Sequence, residues 1–223
     1  MKRATAGTAP LRGGSGSSTR RAAHTGLLPE DAVLLSKLRL GAPAAAKALF
    51  DRYHGKVYGL AMSILMNKSD AEEAARDVFL TVVRGADRFR GNSALSSRIY
   101  RVCVNTCLKR RRKGRVTETV PIRGFLPVFT EEGAHARPVE DWSREVERRI
   151  PEKEIGQVIG RFTATLPEKY LVVFALGDVQ GFSYEETAQV LNLTIAEVKS
   201  RLHRVRLYLR ERLGRYLRDG TGI

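Results

Sequence analysis

Apolar residues recur at intervals of three and four through two long stretches of this chain, and the segments around those stretches lose the period. Between Glu30 and about Arg115 the runs DAVLLSKLRL, AAAKALFDRYHGKVYGLAMSIL, SDAEEAARDVFLTVVRGADRF and SSRIYRVCVNTCLKRRRKGR all carry helical spacing. A second helical block runs from about Pro151 to Arg218, punctuated at Gly160, Leu166-Pro167 and Gly181. Between the blocks, residues 116–150 bring in Pro121, Gly124, Pro127, Gly133 and Pro138 together with Glu131, Glu132, Glu140 and Asp141, the composition of a linker. Residues 1–29 are rich in Gly, Ser, Thr and Ala with scattered basic residues, and they read as a disordered basic tail. No convincing strand pair and no internal repeat are present. The expected fold is all-α: a four-helix unit over 30–115 and a second small helical unit over 151–218, joined by a flexible linker.

Within the second unit, Ser183 followed by Glu186 is a capping box, in which the hydroxyl accepts from a backbone N–H and the carboxylate reaches back. Thr194 and Glu197 repeat the signature, with Asn192 in the short gap, so two helices joined by a tight turn are expected: a helix-turn-helix. In the second of these helices Val198, Leu202, Val205 and Leu209 fall on one face and must pack inward. Lys199, Ser200, Arg201, His203, Arg204 and Arg206 are then forced outward, the first of them within two turns of the helix N-terminus. That is where a recognition helix meets base edges.

Charge agrees with such a surface. Thirty-nine Lys and Arg against 24 Asp and Glu give a formal charge of +15 and a pI near 10.3, which suits a polyanionic partner. The run from Lys109 to Arg115 is basic at every position but Gly114, a phosphate-contacting run by charge. No window is long and apolar enough to span a membrane, and the basic N-terminus has no apolar segment behind it, so a cytoplasmic location is expected. Cys103 and Cys107 are too few for a disulfide framework or a structural zinc site and read as buried small hydrophobes. Catalysis finds little support: there is no Gly-rich phosphate loop, no HExxH and no GxSxG. The acidic cluster Asp70, Glu72, Glu73, Asp77 also lacks a second cluster to make a two-metal site. No catalytic residue, metal or cofactor is expected.

The stretch LPEKYLVVFALGDVQGFSYEETAQVLNLTIAEVKSRLHRVRLYLRERL, Leu166 to Leu213, resembles the promoter-reading C-terminal domain of bacterial sigma factors. LPEKY, GFSYEETAQVL and VKSRLHRVR stand in that family's order and spacing. The block from about Leu34 to Arg115, with SDAEEAARDVFL at its centre, resembles the second region of the extracytoplasmic-function (group 4) members of the sigma-70 family. The resemblance implies an RNA polymerase sigma factor that directs core polymerase to promoters through −10 and −35 elements and promotes strand opening. It places Glu73, Asp77 and Phe79 at the polymerase clamp, and Asn92, Ser93, Tyr100 and Asn105 near the unpaired −10 strand with Lys109 and Arg110 on flanking phosphates. At the −35 duplex it places Lys199, Ser200, Arg201, His203 and Arg204. The partners implied are core polymerase at its clamp and flap, promoter DNA and a cognate anti-sigma factor, with the two domains held apart by polymerase rather than by each other.

Three positions depart from the pattern. The family usually has Gln where this chain has Arg76, and Trp where it has Val83 and Arg98. Arg98 matters most, because an unpaired base stacks better on an aromatic face than on a guanidinium. The alternative reading is a stand-alone helix-turn-helix regulator, since LuxR-type regulators share a similar core around the second helix. Such a regulator has no counterpart of the first domain and binds its site without polymerase.

Overall fold

A computed structural model describes residues 28–89, 91, 94–114 and 152–219; the expected linker, Asn92, Ser93 and the expected tail up to residue 27 lie outside the described residues, whereas Pro29, assigned to the tail by the sequence, opens the first helix. Among the described residues there are eight α-helices and no strand. Helix α1 (Pro29–Arg39) and helix α2 (Pro43–Leu65) each open on a proline, whose missing N–H and fixed φ suit the first helical position. Helix α3 (Lys68–Arg84) is capped by Asn67, whose Oδ1 accepts from the Asp70 N–H at 3.0 Å, and helix α4 is Leu95–Gly114. These four form the first unit. Its core is built from Leu49, Val57, Leu60 and Ile64 of α2, Ala71, Ala74 and Val78 of α3, and Leu95, Ile99, Cys103 and Cys107 of α4, all essentially inaccessible to solvent. The alanines of α3 let α2 and α4 approach it closely, since interaxial distance follows side-chain size.

Both cysteines are buried, as their spacing implies. A hydrogen bond with Cys107, together with burial, pushes the Cys103 thiol well above its usual range, the opposite of what a reactive thiolate needs. Helix α1 is tied to α2 by Asp31, which is only 2% exposed and accepts from Arg52 at 3.0 Å. Burial raises the Asp31 carboxyl pKa, and the Arg52 guanidinium opposes that rise.

The second unit comprises α5 (Glu152–Ala164), α6 (Glu168–Phe174, continued by a π turn over Ala175–Val179), α7 (Tyr184–Leu191) and α8 (Ile195–Asp219). Val198, Leu202, Val205 and Leu209 are all buried, on the inward face the spacing predicts. Gly177 in the π turn lies under Leu202: a Cβ there would sit 3.1 Å from Leu202 Cδ1, so the missing side chain lets α8 seat on α6.

The two units touch. The sequence offers two bodies on a tether, yet α4 packs on α7 and α2 on the π turn. The physical reason lies inside the basic run. Arg111, 9% exposed, donates to the Ile64 carbonyl at the end of α2, to the Ala164 carbonyl at the end of α5 and to the Leu166 carbonyl in the turn that follows it. Helix C-termini leave carbonyls without intrahelical partners, and a guanidinium with five donors in a planar fork can serve several at once. Beside it, exposed Arg112 pairs with Glu168 at the start of α6.

Removing this guanidinium leaves buried carbonyls unpaired, and hydrogen bonds to charged groups are worth roughly 1.5–3 kcal/mol each. Arg111→Met is expected to lower the unfolding free energy in urea by about that amount, while Arg112→Ala, on an exposed pair, leaves the midpoint nearly unchanged. Equal behaviour of the two variants would contradict the structural role given to Arg111.

Candidate nucleic-acid interface

The geometry of the helix-turn-helix is set by local chemistry. Ser183 Oγ accepts from the Glu186 N–H at 3.1 Å and the Ser183 N–H donates to Glu186 Oε2 at 2.8 Å, so the capping box closes at the start of α7. Asn192 ends α7 at φ 54, a left-handed conformation that Asn tolerates better than most residues. The Thr194 N–H and hydroxyl donate to Glu197 Oε2 at 2.9 and 3.0 Å, and Thr194 Oγ1 accepts from the Glu197 N–H at 3.2 Å, starting α8. The Thr194 backbone and then its hydroxyl hold the Glu197 carboxyl below its usual range.

With α8 so oriented, Lys199, Ser200 and His203 are exposed at its N-terminal end. Lys199 lies over the Tyr184 ring, 5.5 Å from its centroid. Arg201 and Arg204 line a shallow groove with Lys169, Tyr170 and Ser200. Arg201 is 3.4 Å from Glu197 one turn back, and Arg204 donates to the Tyr170 hydroxyl at 3.3 Å. Ser200, Arg201 and Arg204 therefore share this groove, while Lys199 and His203 are exposed outside its lining. Arg206, grouped with them by periodicity, is instead paired with Asp178 of the π turn through two hydrogen bonds, at 3.1 and 2.6 Å.

The candidates in the first unit are distributed differently. Glu73 and Asp77 point outward from α3, and both accept from Arg110 of α4, at 2.8 and 2.6 Å. The acidic face and one member of the basic run thus neutralise each other within the unit. Phe79 is buried and packs against the half-exposed Phe50 ring at 5.0 Å, which in turn stacks near His54. Lys109 and Asn105 are exposed on α4. Tyr100 is only 4% exposed: its ring meets Phe182 edge-on at 4.7 Å, and burial pushes its phenol pKa up.

The departures from the family pattern find structural places. Arg98 donates to the Gly85 carbonyl at 3.0 Å and lies over the Phe89 ring at 5.1 Å, so it braces the turn that follows α3. Arg39, which no sequence pattern singles out, holds the same turn from α1 through the Ala86 and Phe89 carbonyls, at 3.3 and 2.7 Å. Val83 packs against the core, and Arg76 is exposed beside Phe50, His54 and Tyr58. Among the described residues no cluster of His, Cys, Asp and Glu could hold a metal ion, and no helix is long and apolar enough to cross a membrane.

Comparison with known proteins defines the class first. Residues 49–117 match the profile described as Sigma-70 region 2, and residues 156–209 that described as Sigma-70, region 4. The ECF RNA polymerase sigma factor SigM of Mycobacterium tuberculosis strain H37Rv is 33% identical over 193 residues, covering 86% of this chain and 89% of that protein. The ECF RNA polymerase sigma-E factor of Escherichia coli K12 is 28% identical over 177 residues, covering 79% and 90%. Solved structures share the fold. That of CnrH with the cytosolic domain of CnrY has a TM-score of 0.57 at 19% identity, covering 82% of this chain and 96% of that one. The sigma factor RpoE of Bartonella quintana, crystallised with the anti-sigma factor NepR, has 0.52 at 20%, covering 75% and 96%. This chain belongs to the ECF sigma factors of the sigma-70 family, and it directs RNA polymerase to promoters.

Because the Glu197 pKa is depressed in the folded state, its capping contribution is present above pH 4.5, the ordinary value, and is lost as pH falls through the lowered one. In an NMR titration the Glu197 carboxyl is expected to titrate below 4.5 and to move part of the way back in Thr194→Ala. A titration at or above 4.5 in the unmodified chain would show that the second capping box does not form.

Proposed function

We propose that the two helical units divide promoter recognition between them, the first spanning residues 30–115 and the second 151–218. The first docks on the polymerase clamp through Glu73 and Asp77, with buried Phe79 backing that face of α3 against Phe50 rather than touching polymerase itself, and receives the unpaired −10 strand along α4, at Tyr100 and Asn105 with Asn92 and Ser93 nearby. Lys109 and Arg110 lie on flanking phosphates, and Arg110 must then loosen its pairs with Glu73 and Asp77. The second unit reads the −35 duplex with Lys199, Ser200, Arg201, His203 and Arg204. The carrying observation is the α8 surface: capping boxes fix both helices, an apolar face buries Val198, Leu202 and Val205, and the opposite side leaves Lys199 and His203 exposed and Ser200, Arg201 and Arg204 lining a groove at the recognition end. Bracing of Arg98 against Gly85 and Phe89 supports a role in holding the loop that leads into the −10 region, with strand stacking left to other side chains.

The chain works in the cytoplasm, has no catalytic residue, metal or cofactor of its own, and is held inactive by a cognate anti-sigma factor. NepR is the anti-sigma factor bound to one structural relative, which supports the last point. A stand-alone regulator fits less well, because its one DNA-reading unit accounts for only half of the structure.

Arginines that grip guanine edges and arginines that grip phosphates fail differently when removed. Arg201→Ala and Arg204→Ala, assayed in the holoenzyme on −35 variants, are each expected to cost roughly 1–3 kcal/mol and to relax preference at particular base pairs. Uniform weakening on every sequence, with a shallower salt dependence and unchanged base preference, would make them phosphate contacts and overturn the specificity assignment.

A further inference from the structure

The two arginines in the groove of α8 are held by groups of different kinds. Arg201 meets Glu197, an exposed acid one turn back on the same helix, at 3.4 Å. Arg204 donates from Nη1 to the Tyr170 hydroxyl at 3.3 Å, and Tyr170 belongs to α6, 34 residues earlier in the chain. The fold fixes this tyrosine. It is 7% exposed and part of the buried core, and its N–H donates to the Pro167 carbonyl at 2.9 Å in the first turn of α6. The Lys169 ammonium lies over its ring, 5.2 Å from the centroid. Tyr170 thus lines the groove from the core side, with its hydroxyl on Arg204.

A neutral acceptor does something that an acid cannot. A carboxylate paired with a guanidinium offsets the charge that DNA would meet, whereas a phenol hydroxyl fixes the group and leaves its charge whole. Arginine carries five N–H donors in a planar fork, so a bond from Nη1 leaves the edge formed by Nε and Nη2 free. That edge can make the two parallel bonds by which arginine reads guanine. A long side chain also loses rotamer freedom on binding, and one already held in its bound orientation loses less. We propose that Tyr170 is a positioning residue for −35 recognition: its hydroxyl orients Arg204 and sharpens base preference without touching a base itself. The helix that precedes the helix-turn-helix thereby takes part in reading the duplex, through a hydroxyl carried on a buried ring.

This role rests on the −35 reading of Arg204, and the test separates the two. Tyr170→Phe removes the hydroxyl and keeps the buried ring. It is compared with Arg204→Ala and with the double variant Tyr170→Phe/Arg204→Ala. Each is assembled with core polymerase and selects from duplex promoters randomised through the −35 element, with thermal unfolding of the free chain as the control for folding. Arg204→Ala is expected to relax preference at a particular base pair. Tyr170→Phe is expected to lower preference at that same pair roughly three- to tenfold, the range of one hydrogen bond, and to leave the other pairs as they were. In the double variant the tyrosine change is expected to add nothing, because non-additivity marks two groups that act through one contact. Unchanged preference in Tyr170→Phe overturns the proposal, and so does a loss spread evenly over all sequences, which marks a merely structural role. A full additional loss in the double variant also overturns it, since the hydroxyl would then act through another group. If Arg204→Ala itself leaves every preference intact, the −35 reading of Arg204 fails and takes the positioning role with it, whereas a loss in Arg204→Ala with none in Tyr170→Phe refutes the positioning alone.

Discussion

The Arg111 guanidinium sits where the ends of three helices meet, and the arrangement of the whole molecule follows from it. Carbonyls at the ends of α2 and α5 converge on one buried cation supplied by α4. A lysine could not serve them, because a point charge lacks the planar fork that reaches several acceptors. From that anchor the first unit's α4 runs along the second unit, so Arg101 and Ser97, two to four turns earlier, arrive at the end of α7. One buried cation therefore decides which face of α4 is covered.

The same economy of cations explains how a chain of +15 presents a selective surface. Much of its arginine is turned inward or onto neighbouring acids: Arg39 and Arg98 brace the turn after α3, Arg52 holds Asp31, Arg110 spans Glu73 and Asp77, and Arg206 meets Asp178. Exposed cations remain on both units, among them Lys199 at the head of α8 and Lys109 and Lys113 late on α4. Net charge draws a polyanion in, and the internal pairs decide where it can settle.

Period and caps are local properties, and they carried most of what the sequence made legible. The all-α class, the helical blocks, the capping boxes at Ser183 and Thr194 and the inward face of Val198, Leu202 and Val205 all appear in the structure as the spacing implies. The burial of Cys103 and Cys107 was legible for the same reason. Contacts between units were not, because nothing in a basic run distinguishes an arginine that meets phosphate from one that meets carbonyls. Lys109 to Arg115 reads as one surface, yet Arg110, Arg111 and Arg112 go to three different partners. Arg39, Phe182 and Gln189 have roles only through residues far away in the chain, and no short-range pattern marks them.

The defining property of this chain is that it makes core polymerase initiate where it otherwise does not. Transcription in vitro with purified core polymerase, with and without the chain, on a library of randomised promoter sequences is the direct measurement. The expected result is a set of discrete start sites that need the chain, preceded by two separated blocks of enriched sequence, one for each helical unit. Transcription that does not change on adding the chain, together with tight binding of the chain alone to a single duplex site, would contradict it.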